Sequence, residues 1–264
     1  MEFMLGTWNV RTLNRPGAQR VLLHELKRYK IGITAVQETK WLGKGIRDTK
    51  THTILYSGKD EGNKEFGVAF ILDNKMKHLI TDFQAINERI CKLRIKTHFF
   101  NITLINVHCP TNEQEEDTKV AFYQDLERIY DSIPRNDIKM VIGDTNAKIG
   151  KEEEYIGVIG KHSLHRDTNE NGQFLIDFAA GKNMIISSTC FPHRDIHKGT
   201  WISPDGNTIN QIDHILTEKR MATSILDVKS RRGASCDSDH LLVQTRFRCK
   251  ISRQVTSSRG VIKR

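Results

Sequence analysis

Six times in this 264-residue chain a polar group breaks an apolar run that would otherwise read as plain core. Ile31-Gly-Ile-Thr-Ala-Val-Gln ends in Glu38; Ile102-Thr-Leu-Ile-Asn-Val ends in His108; Lys139-Met-Val-Ile-Gly ends in Asp144, with Asn146 two residues on. Asn9 follows Met4–Trp8, Asp213 interrupts Gln211-Ile-Asp-His-Ile-Leu, and the pair Asp239-His240 opens Leu241–Phe247. A carboxylate at the edge of a core is costly unless it is paired, hydrogen-bonded or bound to a metal. Each position alone reads as a turn or cap, Gly143-Asp144 above all. Their recurrence at strand ends points to one shared site of carboxylates, amides and imidazoles.

The elements that must carry these groups are short β-like runs separated by a few helices, without internal repeats. Strands are expected over Met4–Val10, Ile31–Gln37, His52–Ser57, Gly67–Leu72, Leu79–Ala85 and Ile90–Thr97. Further strands are expected over Phe100–Val107, Met140–Ile142, Met184–Ser188, Gln211–Leu216, Ile225–Lys229 and Leu241–Phe247. Residues 17–30 place Ala18, Val21, Leu22, Leu26 and Tyr29 on one helical face, and residues 114–133 do the same with Val120, Tyr123, Leu126, Tyr130 and Ile133. A third helix over about 171–182 packs Phe174, Leu175, Phe178 and Ala179 and stops at Gly181 and Asn183. The runs between Gly67 and Val107 read as an antiparallel meander. Two sheets packed face to face with helices outside would bury all of these segments.

Composition bounds the class. With 38% hydrophobic and 28% charged residues the chain can bury a real core, and wholesale disorder is not expected. Its longest apolar runs are too short to span a bilayer, so no membrane partner is expected. The five cysteines include no Cys-x-x-Cys pair, which argues for a reduced intracellular protein without a disulfide framework. The formal net charge is +9, from 41 Lys+Arg and 32 Asp+Glu, but it is unevenly placed. Seven bases and no acids follow Asp239, so residues 1–239 carry a net charge of only about +2. We therefore expect a domain over 1–250 and a basic arm or linker over 251–264, a candidate polyanion contact.

The strings Gly6-Thr-Trp-Asn-Val-Arg-Thr-Leu, Val36-Gln-Glu-Thr-Lys, Ile105-Asn-Val-His-Cys-Pro-Thr, Gly143-Asp-Thr-Asn-Ala, Asn210-Gln-Ile-Asp-His-Ile-Leu and Ser238-Asp-His resemble, in order, the motif set of the endonuclease/exonuclease/phosphatase superfamily. They cover residues 4 to about 248. Thr200-Trp-Ile-Ser-Pro-Asp followed by Asn-Gln-Ile-Asp-His is most similar to LINE-type retroelement endonucleases of the RTE/BovB kind and to craniofacial development protein 2-like host proteins. The resemblance implies a DNase I-like four-layer α/β sandwich, two packed mixed or antiparallel sheets flanked by helices. It also implies a Mg²⁺-dependent nuclease, with Mn²⁺ as substitute, that nicks DNA to leave 3′-hydroxyl and 5′-phosphate ends. A reverse transcriptase domain in a longer parent protein and a nuclear location go with that reading.

Carried over by motif, Glu38 is the principal metal ligand, with Asp239 and Asn9 helping to hold the ion or its water. Mg²⁺ suits such a set because it takes a few carboxylate oxygens and neutralises charge on a phosphodiester. The resemblance pairs His240 with Asp213, as general base or as clamp on the phosphate, and has Asp144 orient or deprotonate water. Asn146 donates to the pentacovalent phosphate. Arg11 and His108 depart from the apurinic/apyrimidinic branch, which has Asp and Tyr there, and look like DNase I. Arg11 suits a phosphate contact and His108 a second acid or clamp, which favours nicking of an intact backbone. Thr145 replaces the usual Phe or Leu and removes no catalytic group.

Lys40 and Trp41, with Lys44–Arg47, are expected as a basic loop after Glu38, touching DNA or simply solvated. Trp201 stacks on a sugar or packs in the core. His193 and His197, with Cys190 upstream, lack a fourth zinc ligand at a usual spacing, and His162 and His165 are weaker candidates. The acidic runs Glu113–Asp117 and Glu152–Glu154 read as solvated faces. Two other functions use the same residues: a phosphatase acting on phosphoinositides or nucleotides, and a catalytically silent derivative that binds DNA or protein.

Overall fold

In the computed structural model the chain is described over residues 2–248, so the arm expected over 251–264 and the end of the domain expected over 1–250 lie outside the described residues. It opens with β1 (Glu2–Asn9), α1 (Ala18–Arg28), β2 (Ile33–Gln37), β3 (Lys44–Asp48), β4 (His52–Ser57) and β5 (Val68–Asp73). Next come β6 (Ile80–Ala85), β7 (Ile90–Lys96), β8 (Asn101–His108), α2 (Glu116–Asp131), β9 (Ile138–Asp144) and α3 (Glu170–Gly181). Last are β10 (Met184–Ile186), β11 (Trp201–Ile202), β12 (Ile209–Asn210), β13 (Asp213–Glu218), β14 (Ile225–Arg231) and β15 (Leu242–Arg248).

Sheet one has the order β14-β15-β1-β2-β5-β4-β3 and sheet two the order β10-β13-β9-β8-β7-β6, with β11 and β12 as a separate ribbon. All pairings are antiparallel except β1 with β2 and β8 with β9. A parallel pair needs a crossover, and α1 and α2 supply one for each sheet. The consequence for function is direct: each βαβ unit delivers two strand C-termini side by side.

The layering follows from side-chain alternation. Leu5, Ile33, Val68 and Phe70 of sheet one meet Leu93, Leu104, Met140 and Ile142 of sheet two in the central core. On the far side of sheet one, Trp8, Val36, Ala69 and Ile71 pack with Leu22 and Leu26 of α1. Beyond sheet two, Ile105, Val107 and Val141 pack with Phe122 and Leu126 of α2 and Leu175 and Phe178 of α3. This is the four-layer α/β sandwich expected, and strands buried on both faces explain why the runs are apolar almost throughout. Local signals set the helices. Asn169 caps α3, its side chain accepting from Gly172 N, and Asn183 at φ 51° stops the chain after it.

Four expectations need correction. Val21 is 45% exposed, because the buried stripe of α1 centres on Leu22, Glu25 and Leu26 and leaves it on the margin. Val120 of α2 is only half-buried. The Gly67–Val107 run is not one meander: β5 belongs to sheet one, a 3₁₀ turn over Asn74–Leu79 changes sheets, and only β6, β7 and β8 form a meander. Lys44–Asp48 is not a loop but the edge strand β3, paired with β4; its charged, exposed residues hide the strand pattern while keeping the edge from pairing further. No helix among the described residues is long and apolar enough to cross a membrane.

Candidate active site

The two parallel pairs end at one edge of the sandwich. In β1 and β2, Asn9 is the register partner of Gln37, with Glu38 next; in β8 and β9, His108 is the partner of Asp144. Gly143 makes the second pair close, because a Cβ there would lie 2.0 Å from Val107 O. Asp213, first residue of β13, is the antiparallel partner of Asp144. His240, just before β15, completes the group from sheet one.

Asn9, Glu38, His108, Asp144 and His240 line a cleft of about 510 Å³ together with Arg11, Asn146, Trp201 and Asp239. Asp213 lies behind His240 and Lys40 beside Glu38, so all the expected site residues converge. Arg11, Glu38, Lys40 and Asn146 all have φ between 50° and 58°. Non-glycine residues in this left-handed region each cost on the order of 1–3 kcal/mol, a cost that packing around the cleft must offset.

Asn9 ties the halves together. Its Nδ2 donates to Glu38 Oε1 and to Asp144 Oδ2, both at 2.9 Å, while its Oδ1 accepts from Arg11 N at 2.9 Å. Its amide is therefore committed to holding two carboxylates and the Arg11 turn. Ser238 Oγ donates to Asn9 O and accepts from His240 N, fixing the Asp239-His240 turn against β1.

His240 Nδ1 lies 3.0 Å from Asp213 Oδ2, and its Nε2 lies 3.8 Å from Asp144 Oδ2. Burial opposes charge on this ring, but Asp213, Asp144 and Asp239 overcome it and raise the pKa to about 9. It is an imidazolium at neutral pH. Burial, then the neighbouring Asp213, pushes the Asp144 carboxyl above its ordinary value despite His240, His108 and the Asn9 bond. His108 behaves oppositely. Burial outweighs the pull of Asp144 and lowers it to about 4, so the ring is neutral, with Nε2 3.9 Å from both Glu38 and Asp144.

The remaining expected residues take definite places. Trp201 lines the cleft half-buried and donates Nε1–H to Asp239 Oδ2 at 3.1 Å; it neither packs in the core nor stands free. Arg11 Nε is 3.7 Å from Asp239 Oδ1, and Lys40 Nζ is 3.5 Å from Glu38 Oε2. Asn146 donates to Cys109 O and takes its own N–H to Asp144 Oδ1. Trp41 is buried beneath Arg47, whose guanidinium sits 4.4 Å from its ring centroid. His193 pairs with Asp227 at 2.6 Å, Cys190 Sγ turns to Ile186 O, and His165 accepts from Gln211 N. Among the described residues none of these joins a metal-binding group.

Two sets of groups compete for a cation. Asp144, Asp213 and His240 bring their ligand atoms within 4.8 Å of one another, but His240 already holds a proton between the two carboxylates. Glu38 and Asp239 suit a hard divalent ion better: both are carboxylates about a quarter exposed to the cleft, and Asp239 Oδ1 is buried without a hydrogen-bond partner.

Several supporting residues escaped sequence reasoning. Asn106 of β8 donates to Val36 O and Ala69 O in sheet one and accepts from Gln37 Nε2, clamping the two sheets behind the cleft. A lone Asn inside the run Ile102–Val107 was the available signal. Thr200 Oγ1 accepts from the backbone of Ile212 and Asp213 and so steadies the start of β13.

Residues 6–240 match the model of the Endonuclease/Exonuclease/phosphatase family. The chain is 37% identical over 250 residues to craniofacial development protein 2 of Tragulus javanicus, covering 95% of this chain but 43% of that protein, so it spans less than half the length of the curated relative. Its fold is similar to the catalytic domain of APE2 from Xenopus laevis (TM-score 0.71, 18% identity, 94% of this chain and 92% of the other). It is also similar to the endonuclease domain of TRAS1, a telomere-specific non-LTR retrotransposon (TM-score 0.62, 15% identity, 94% and 99%).

Proposed function

Because the chain belongs to the endonuclease/exonuclease/phosphatase family, we propose that it is a Mg²⁺-dependent DNA endonuclease, accepting Mn²⁺, that leaves 3′-hydroxyl and 5′-phosphate ends. The observation that supports this best is His240, 3.0 Å from Asp213 and 3.8 Å from Asp144, in the same cleft as Glu38 and Asp239. Glu38 and Asp239 would hold the metal, with Asn9 fixing the orientation of Glu38. When bound, the ion supplies positive charge to offset what develops on the phosphate.

The chain's own groups divide the remaining work. His240, charged at neutral pH, acts as a clamp and not as a base: its Nε2–H donates to a non-bridging phosphate oxygen. Asp144, raised in pKa and aimed by Asn9, accepts the proton of the attacking water. The water oxygen bonds to phosphorus as the bond to the 3′ oxygen breaks, and that oxygen leaves with the bonding pair and takes a proton from solvent water in the open cleft to give the 3′-hydroxyl. His108, neutral, serves as a hydrogen-bond donor near the leaving oxygen and not as an acid. Asn146, Arg11, Lys40 and Trp201 line or flank the path of the strand.

The likeness to the TRAS1 domain favours a retroelement-derived module; with that origin would go a reverse transcriptase domain in a longer parent protein and action in the nucleus. Incubation with supercoiled plasmid tests the reading. Relaxation that requires Mg²⁺ and disappears in Asp144→Ala and His240→Ala is expected, with 5′-phosphate at the nick. Activity that persists in both variants would sink it, and phosphate release from small esters without nicking would assign a phosphatase instead.

A further inference from the structure

Beyond the cleft, two surface grooves run in succession along α1. The first, about 410 Å³, is walled by Val10, Thr12 and residues 235–237, close in sequence to the cleft-lining Asn9, Arg11 and Asp239, and by Arg15, Gly17 and Arg20. The second, about 490 Å³, shares Gly17 and Arg20 with the first and continues between α1 and the β3–β4 turn. Its basic residues are Arg20, His24, Lys27 and Lys50, with half-buried Leu23 also lining it, and no carboxylate lines it.

The charges differ in kind along the way. Arg15 is already paired with Asp237 at 3.2 Å. Arg20, Lys27 and Lys50 are exposed, and among the described residues none of the three has a carboxylate within 4.0 Å. Arg20, His24 and Lys27 recur at helical spacing, so they point into one groove by construction. The acids nearby are engaged elsewhere: Glu25 is buried on the other face with Arg28, and Asp48 is held by Lys77. An unneutralised row of bases that begins one groove away from a phosphodiester-cleaving cleft is complementary to more of the same polyanion.

We infer that α1 and the β3–β4 turn form a track for the DNA flanking the cleaved bond, with Arg20, Lys27 and Lys50 on its phosphates. This rests on the nuclease reading above. The 11 residues of α1 span roughly 16 Å, which at about 3.4 Å per phosphate on one strand corresponds to about five phosphates beyond the cleft. The track contacts backbone and not base edges, so it sets duplex length and salt dependence without setting sequence preference.

The test compares the full chain with an Arg20→Ala/Lys27→Ala/Lys50→Ala variant on duplexes of about 8 and 24 base pairs. Affinity is measured without divalent cation, and nicking of the short duplex is measured separately with Mg²⁺. The wild type should bind the long duplex tenfold or more tightly than the short one. The variant should lose that advantage, lower the slope of log affinity against log salt by about two to three, and nick the short duplex at the wild-type rate. An unchanged slope, or equal loss on both duplexes in a variant with wild-type thermal stability, overturns the track. Absence of nicking in the wild type, with length-dependent binding intact, refutes the nuclease reading and leaves the track standing.

Discussion

His240 Nδ1 lies 3.0 Å from Asp213 Oδ2 although the two residues belong to different sheets: Asp213 opens β13 in sheet two, and His240 leads into β15 of sheet one. The ion pair therefore exists only while the sheets are packed, and its strength reports on both the fold and the chemistry. Asp144, register partner of Asp213, lies 3.8 Å from the other ring nitrogen, so the imidazole stands between two buried carboxylates.

Replacing Asp213 with Asn removes the first of the carboxylates that raise His240. The imidazole should titrate well below about 9, followed by its NMR signals against pH, and nicking should fall by about 10²–10³-fold. A titration that stays near its wild-type position would mean that Asp144 and Asp239 alone sustain the charge.

Asn9→Ala leaves Glu38 without the donor that orients it. Support of this kind is typically worth 10–100-fold in metal affinity. The Mg²⁺ concentration for half-maximal nicking should rise by about that factor, and because buried Asn9 also donates to Asp144 and accepts from Arg11 N, unfolding should show a stability loss of about 1–3 kcal/mol. An unaltered Mg²⁺ requirement would show that Glu38 does not depend on Asn9.

Asn106→Leu removes the clamp between the sheets, taking a donor from each of two buried carbonyls and one acceptor from Gln37 Nε2, which keeps Thr7 Oγ1. Each unsatisfied buried group costs about 1–3 kcal/mol, so denaturant unfolding should show a loss of about 3 kcal/mol or more. A loss under about 1 kcal/mol would mean that water reaches the gap.

His214 is buried, its ring nitrogens engaged by Ser188 Oγ and Ala147 O, and burial lowers its pKa to about 4. A folded-state pKa below the unfolded value near 6.5 means that the unfolded chain binds more protons between the two. Stability is then full above about 6.5 and falls as pH drops toward 4, by roughly 3 kcal/mol from this group. His214→Gln should flatten that part of the stability curve; an equally steep curve in the variant would assign the acid sensitivity to other histidines.

Much of the site was readable because buried strands are intolerant of polar atoms. Asn9, Glu38, His108 and Asp144 stood out against the apolar runs they end, and α1 and α2 were readable from their periodicity. β3 was not, since an edge strand of charged residues carries no apolar alternation. The change of sheet after β5 was equally hidden, because both sheets use the same kind of run. Arg20, His24 and Lys27 resembled any solvated helix face until the β3–β4 turn was placed opposite them.

The amino-acid sequence by itself determined which strands are buried, where helices must intervene, and which polar residues stand at strand ends, for these follow from local periodicity and from the cost of burying polar atoms. Only the tertiary structure decided that two parallel pairs end at the same edge, that the Asn9 nitrogen faces the carboxylates, and that His240 is charged while His108 is neutral. Those outcomes depend on distances among residues as far apart in sequence as Asn9 and Asp144, and on how much water each ring keeps. Neither quantity is written in any local stretch of sequence.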